Sequence, residues 1–111
     1  MIYLASPYSS PLPAVQRLRF IEAERFVAYH FRLGVPLLSP IVYCHSLAEK
    51  HSLPGDAAFW RFLNNDLFLI CDQMWVLKLP GWDLSVGVAE EIKTAELLSI
   101  PLYYKEPLPN G

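Results

Sequence analysis

Residues 73–92 read QMWVLKLPGWDLSVGVAEEI, and this one stretch carries a strand, a turn and the start of a helix. Met74 to Leu79 is apolar enough for a central strand buried on both faces. Pro80-Gly81 turns the chain, and Ser85 stands at the N-cap position of a helix. The backbone N–H groups of Val86 and Gly87 then point toward the edge where the strand ends, a place that can hold anions and sugars. Glu91 follows Gly87 by four residues. At about 100° per residue, the missing side chain of Gly87 leaves open space above the Glu91 carboxylate. Glu91 is therefore the candidate acting group of the block.

Working outward, the helix continues to about Ser99. Val88, Ile92, Ala95 and Leu98 face the core, Glu91 lies at the border of that face, and Glu90, Lys93 and Thr94 project away. Pro101 to Tyr104 is a last strand, and residues 107–111 form a loose tail to a single domain of residues 1–106. At the other end, Ile2 to Ala5 is a short buried strand that stops at Ser6-Pro7. A helix spans Ala14 to Leu33 with Gly34 as its C-cap, and a second strand runs from Val35 to Leu38, ended by Ser39-Pro40. On the first helix Val15, Leu18, Phe26, Tyr29 and Leu33 line one side, and Phe20, Val27 and Phe31 nearly the opposite one. This predicts a cover on both faces, the second being another subunit. Its arginines Arg17, Arg19, Arg25 and Arg32 alternate with Glu22 and Glu24 and read as a solvated, ion-paired surface.

The segment from Ile41 to Asp56 is the least regular and reads as a loop over the cleft, with Leu53 to Asp56 turning into the next helix. Its Cys44, His45 and His51 match neither His-Glu-x-x-His nor a zinc-finger spacing, so no metal is expected there. From Ala57 to Cys71, Phe59, Phe62, Leu63 and Ile70 share one helical face with Asp66 in the middle of it. A carboxylate in that place is costly unless used or paired. Alternatively, Asn64-Asn65-Asp66 breaks the helix and Asp66 caps the next turn. Such a break would also let Asp66 reach the C-terminal edge of the sheet.

The order strand, helix, strand, helix, strand, helix, strand predicts a parallel sheet with helices on both faces, an α/β, flavodoxin-like fold of strand order 2-1-3-4. The switch point between strands 1 and 3 sets the loop Ser6-Pro7-Tyr8-Ser9-Ser10 against the Gly81 to Gly87 loop. Hydroxyls of Ser6, Tyr8 and Ser9 suit a sugar or phosphate, or else belong to a turn with capping serines.

Composition narrows the partners. The chain has 111 residues, 53% hydrophobic, with 11 acidic and 9 basic side chains and a net charge of -2. No basic cluster supports binding of polymeric nucleic acid. No run approaches the ~18 apolar residues of a membrane span, and the N-terminus has no basic region of the signal-peptide kind. A cytoplasmic location follows, with Cys44 and Cys71 as separate thiols.

A glutamate beside a glycine, a second carboxylate, a tyrosine and several hydroxyls fit displacement at an anomeric carbon. That chemistry needs one ionised carboxylate at the carbon and one protonated group at the leaving atom, the roles that suit Glu91 and Asp66. Tyr3 can orient the carboxylate or simply fill the core, and Trp82 can stack on a base or anchor its loop. No metal or other cofactor is expected.

Ile2-Tyr3-Leu4-Ala5, Asn65-Asp66-Leu67 and Ser85-x-Gly87-x-x-x-Glu91-Ile92-x-x-Ala95 together resemble the nucleoside 2-deoxyribosyltransferase superfamily, including the deoxynucleoside 5′-monophosphate N-glycosidases. The run from Leu79 to Ile92 looks most like a family of small, functionally undescribed bacterial and phage proteins within it. The resemblance implies a flavodoxin-like homo-oligomer with sites near subunit interfaces, a small-molecule nucleoside or nucleotide as substrate, and no cofactor. By position it implies Glu91 as nucleophile, Asp66 as the carboxylate near the base and Tyr3 as support for the glutamate, with Trp82, Asp83, Ser85 and Gly87 in the substrate loop. Two departures bear on the substrate. Ser85 stands where the transferases carry Asp, as it does in the monophosphate hydrolases, and Ser6 to Ser10 replaces their glycine-rich phosphate clamp. A non-catalytic nucleotide-binding module and an NAD-type glycohydrolase, as in TIR domains, are the competing expectations.

Overall fold

A computed structural model describes residues 1–54 and 57–109; the turn expected at Gly55-Asp56 lies outside the described residues. The elements, in chain order, are β1 (Ile2–Ala5), α1 (Pro13–Arg32), β2 (Leu37–Leu38), α2 (Pro40–Lys50), α3 (Ala57–Phe68), β3 (Gln73–Leu77), α4 (Val86–Leu97) and β4 (Leu102–Lys105), with a 3-10 turn at Trp82–Leu84. The four strands are parallel and ordered β2-β1-β3-β4, the flavodoxin-like order expected.

Period-two alternation along the central strands sorts side chains between two cores. Ile2 and Leu4 of β1 pack with Ala23, Phe26 and Val27 of α1 and with Leu77 of β3. Tyr3 and Ala5 point to the other face, where Met74, Val76, Phe68 of α3, and Val88 and Ala95 of α4 enclose them. The two cores thus lie on the two faces of the sheet, the first of them under α1. That helix buries the single face Ala23, Phe26 and Val27, while Leu18, Tyr29, Phe31 and Leu33 stay exposed. Leu98 is exposed as well, because α4 ends one residue before it. At the C-terminal end, Leu108 packs against the first core and the Pro109 carbonyl accepts from Arg25 at 3.0 Å, so the chain is held through residue 109.

The segment expected to be a loop over the cleft is helix α2. Ser39 accepts a hydrogen bond from Val42 N at 3.2 Å and Pro40 opens the first turn, an N-cap followed by proline at N1. The same Ser-Pro pair that ends β2 therefore starts α2. The expected break at Asn64-Asn65 is absent, and α3 runs unbroken to Phe68.

Candidate functional site

β1, β2 and β3 end at one edge of the sheet, and the chain leaving each of them builds the wall of one cleft. Its lining includes Ser6, Tyr8 and Ser9 after β1, Cys44 and His45 on α2, Trp60 and Asn64 on α3, and Ser85, Gly87 and Glu91 from α4. The cleft spans about 660 Å³ counted out through its open mouth, the solvent there included. A second groove between α3 and α4 shares Asn64, Gly87 and Glu91 with it, so Glu91 lies where the two meet.

Ser85 caps α4, its hydroxyl accepting from Val88 N at 3.2 Å and its carbonyl from Ala89 N at 3.0 Å. Helix geometry leaves Val86 and Gly87 N–H without an acceptor from the helix itself. One turn on, Oε2 of Glu91 accepts a short hydrogen bond from the Tyr3 hydroxyl. Tyr3 has no exposed surface, and its ring stacks on Phe68 at 4.0 Å and 13°, so the phenol is fixed from both ends. Glu91 is half-buried and lines both grooves. Burial drives that carboxyl up to about 8; the Tyr3 bond pulls it down and Glu90 adds to the rise. Burial, with the Glu91 charge and hydrogen bond, holds the Tyr3 phenol far above its ordinary range, so it stays a donor. Glu90 points outward to Arg61, at 2.9 Å, as the spacing predicts.

Two polar atoms in the wall lack partners. Ser6 Oγ and Asn64 Oδ1 are buried without a hydrogen bond, although a buried polar group ordinarily finds one. Both residues line the cleft, Ser6 just after β1 and Asn64 on α3.

Three sequence-predicted site residues fall elsewhere. Asp66 is exposed and lines neither cavity. In an unbroken α3 it stands about 200° around from Asn64, which shares the inward face with Phe68 four residues later. Trp82 packs against the second core and lies 5.5 Å from the ring of Tyr104, so it anchors its loop. Asp83, in the 3-10 turn, is exposed.

Two residues missed in the sequence complete the site. Arg19, expected on a solvated surface, donates to the Ser9 carbonyl at 2.8 Å and to the Pro80 carbonyl at 3.4 Å, tying together the two loops that face each other. It lies so close to Gly81 that a Cβ there would sit 2.6 Å from its Nη2, and Gly81 has φ +90°. His45 is 8% exposed, stacks on Phe20 at 4.1 Å, and meets the Tyr8 hydroxyl at 2.6 Å through Nδ1 and Glu49 at 3.3 Å through Nε2. The i, i+4 spacing of His45 and Glu49 is the signal, legible only once α2 is a helix.

Residues 1–105 match the family described as a domain of unknown function, DUF1937. The chain belongs to that family. The match spans β1 to β4, and so covers every residue that lines the cleft. A search of curated proteins finds no match.

Proposed function

We propose that the protein cleaves or transfers the N-glycosidic bond of a nucleoside or nucleoside 5′-monophosphate, with Glu91 attacking C1′. The observation that carries this reading is the Tyr3–Glu91 pair: a carboxylate held by a buried phenol at the junction of the two grooves, beside Gly87 and one turn into a helix whose first N–H groups are open. A carboxylate so placed suits a developing oxocarbenium centre, while Ser6, Ser85 and the α4 N-terminus suit sugar hydroxyls or a phosphate. The base departs, and water or a second base releases the sugar from Glu91. No cofactor is needed for this sequence of steps.

A second reading, a nucleotide-binding module without chemistry, is favoured by one feature: Glu91 is the only carboxylate among the described residues that line the cleft. A screen of free and 5′-phosphorylated ribo- and deoxyribonucleosides, with released base read by liquid chromatography, separates the two. Base release supports glycoside chemistry; saturable binding without release supports the module. The reading also carries a cytoplasmic place, where such substrates are held, and a homo-oligomer. Leu97, on the α3–α4 groove, is 76% exposed, as are much of Leu69 and Ile70 just beyond α3, and a second copy would cover them.

A further inference from the structure

We infer that Tyr8, His45 and Glu49 form a proton relay that serves the leaving base and the incoming water in the reaction at Glu91. The inference rests on the glycoside reading above and supplies the acid that Asp66, facing solvent, does not.

The geometry points one way. Glu49 approaches His45 Nε2 at 3.3 Å and is itself 3.7 Å from Arg17, which keeps its charge compensated. An ionised carboxylate only accepts, so Nε2 carries a hydrogen and Nδ1 is left for the Tyr8 hydroxyl at 2.6 Å. Phe20 stacked on the imidazole holds the ring in this plane. Tyr8 and His45 line the same cleft as Glu91, Tyr8 from the loop after β1 and His45 from α2. Neutral His45 accepts from Tyr8 and turns the phenol oxygen into an acceptor toward the cleft. Protonated His45 donates to Tyr8 and turns its hydroxyl into a donor toward the cleft. Direction of transfer thus follows the proton on Nδ1, as a two-step displacement requires.

In the first step Glu91 Oε bonds to C1′ and the C1′–N bond breaks. Its electron pair goes to the base, which takes the Tyr8 proton while Tyr8 takes that of His45 Nδ1. In the second step water bonds to C1′ and the C1′–Oε bond breaks, returning the electron pair to Glu91. A water proton passes through Tyr8 back to Nδ1. Base, sugar and the starting enzyme result, with no other reactant. Tyr8 touches substrate; His45 and Glu49 act through it, Glu49 as a positioning residue.

The groups that face the relay are Arg17, Cys44, Glu49 and, across the cleft, Glu91. The first step needs a proton held within the site, and Glu91 gives its own up at about 8 in the free protein, so kcat/KM of the wild type descends above about 8.

The test compares Tyr8→Phe, His45→Gln, Glu49→Gln and Glu91→Gln on the nucleoside and nucleotide panel, and on a 4-nitrophenyl 2-deoxyriboside whose leaving group departs without a proton. Thermal unfolding and heteronuclear NMR of the His45 ring nitrogens run alongside. Expected are losses of about 10²- to 10⁴-fold on the panel for Tyr8→Phe and His45→Gln, with formation of the glycosyl intermediate from the 4-nitrophenyl substrate within about fivefold of wild type. Their residual profile loses the alkaline descent, and neutral His45 carries its hydrogen on Nε2. Panel turnover that depends on Glu91 but is unchanged in Tyr8→Phe, or a neutral His45 protonated at Nδ1, overturns the relay and leaves the glycoside reading standing. A wild type that releases no base overturns both.

Discussion

The hydroxyl of Tyr3, on the first strand, donates to Oε2 of Glu91, on the last helix, and the bond closes the base of the cleft where the two grooves meet. Tyr3 is fixed by Phe68 behind it and the carboxylate in front, so Glu91 is aimed by the fold itself rather than by a mobile loop.

Replacing Glu91 by Gln is expected to lower base release by at least about 10⁴-fold, the scale seen when a nucleophile is removed. The same change raises stability. With the carboxyl at about 8 when folded and 4.5 when unfolded, the folded state binds more protons between those values, so wild-type stability falls as pH rises from 4.5 to 8. The slope is at most about 1.4 kcal/mol per pH unit. Thermal unfolding from pH 5 to pH 8.5 should therefore show Tm of Glu91→Gln exceeding wild type by a margin that widens with pH; a constant margin would contradict the burial of this carboxylate.

Tyr3→Phe keeps the stacking on Phe68 but removes the bond that draws Glu91 downward. Its carboxyl should titrate still higher. Turnover at pH 7 should drop about 10- to 100-fold, the worth of a hydrogen bond to a charged group, while the fold survives. A pH series that shows no upward displacement of the Glu91 titration would count against this orientation.

Arg19→Ala should loosen the two loops without touching the reacting groups, since its partners are the carbonyls of Ser9 and Pro80. The expected result is a rise in KM of about tenfold with a smaller change in kcat, read from initial rates over a substrate range. Equal losses in kcat and kcat/KM would instead assign Arg19 to the transition state.

Asp66→Asn should leave kcat and KM within about twofold of wild type, because the side chain lies on the exposed side of α3. Asn64→Leu, by contrast, removes the unpartnered Oδ1 from the cleft wall and should raise KM. Steady-state kinetics on the two variants decides which residue of Asn64-Asn65-Asp66 meets the ligand.

The strand order and the Ser85–Gly87–Glu91 block were legible because each rests on local rules: apolar runs set strands, a hydroxyl caps a helix, and four residues return to one face. What escaped depended on long-range choices. Ser39-Pro40 ends a strand and starts a helix with equal local logic, and only the closing of β2 onto β1 selects both at once. Read as a loop, residues 41–56 give His45 and Glu49 no common face, and the contact with Tyr8 becomes legible only on a helix. Asp66 faces solvent for the opposite reason. Asn64-Asn65 has weak helix propensity, but Phe68 stacked beneath Tyr3 holds the helix through it. Trp82 faced two equal uses, and Tyr104 on β4 decides for anchorage.

The measurement that bears most directly on the central claim is base release by wild type and Glu91→Gln, side by side, over the nucleoside and nucleotide panel at pH 7. The account predicts that wild type frees the base from at least one member and that Glu91→Gln, folded and of higher Tm, frees none. Release by both proteins at the same rate would contradict it.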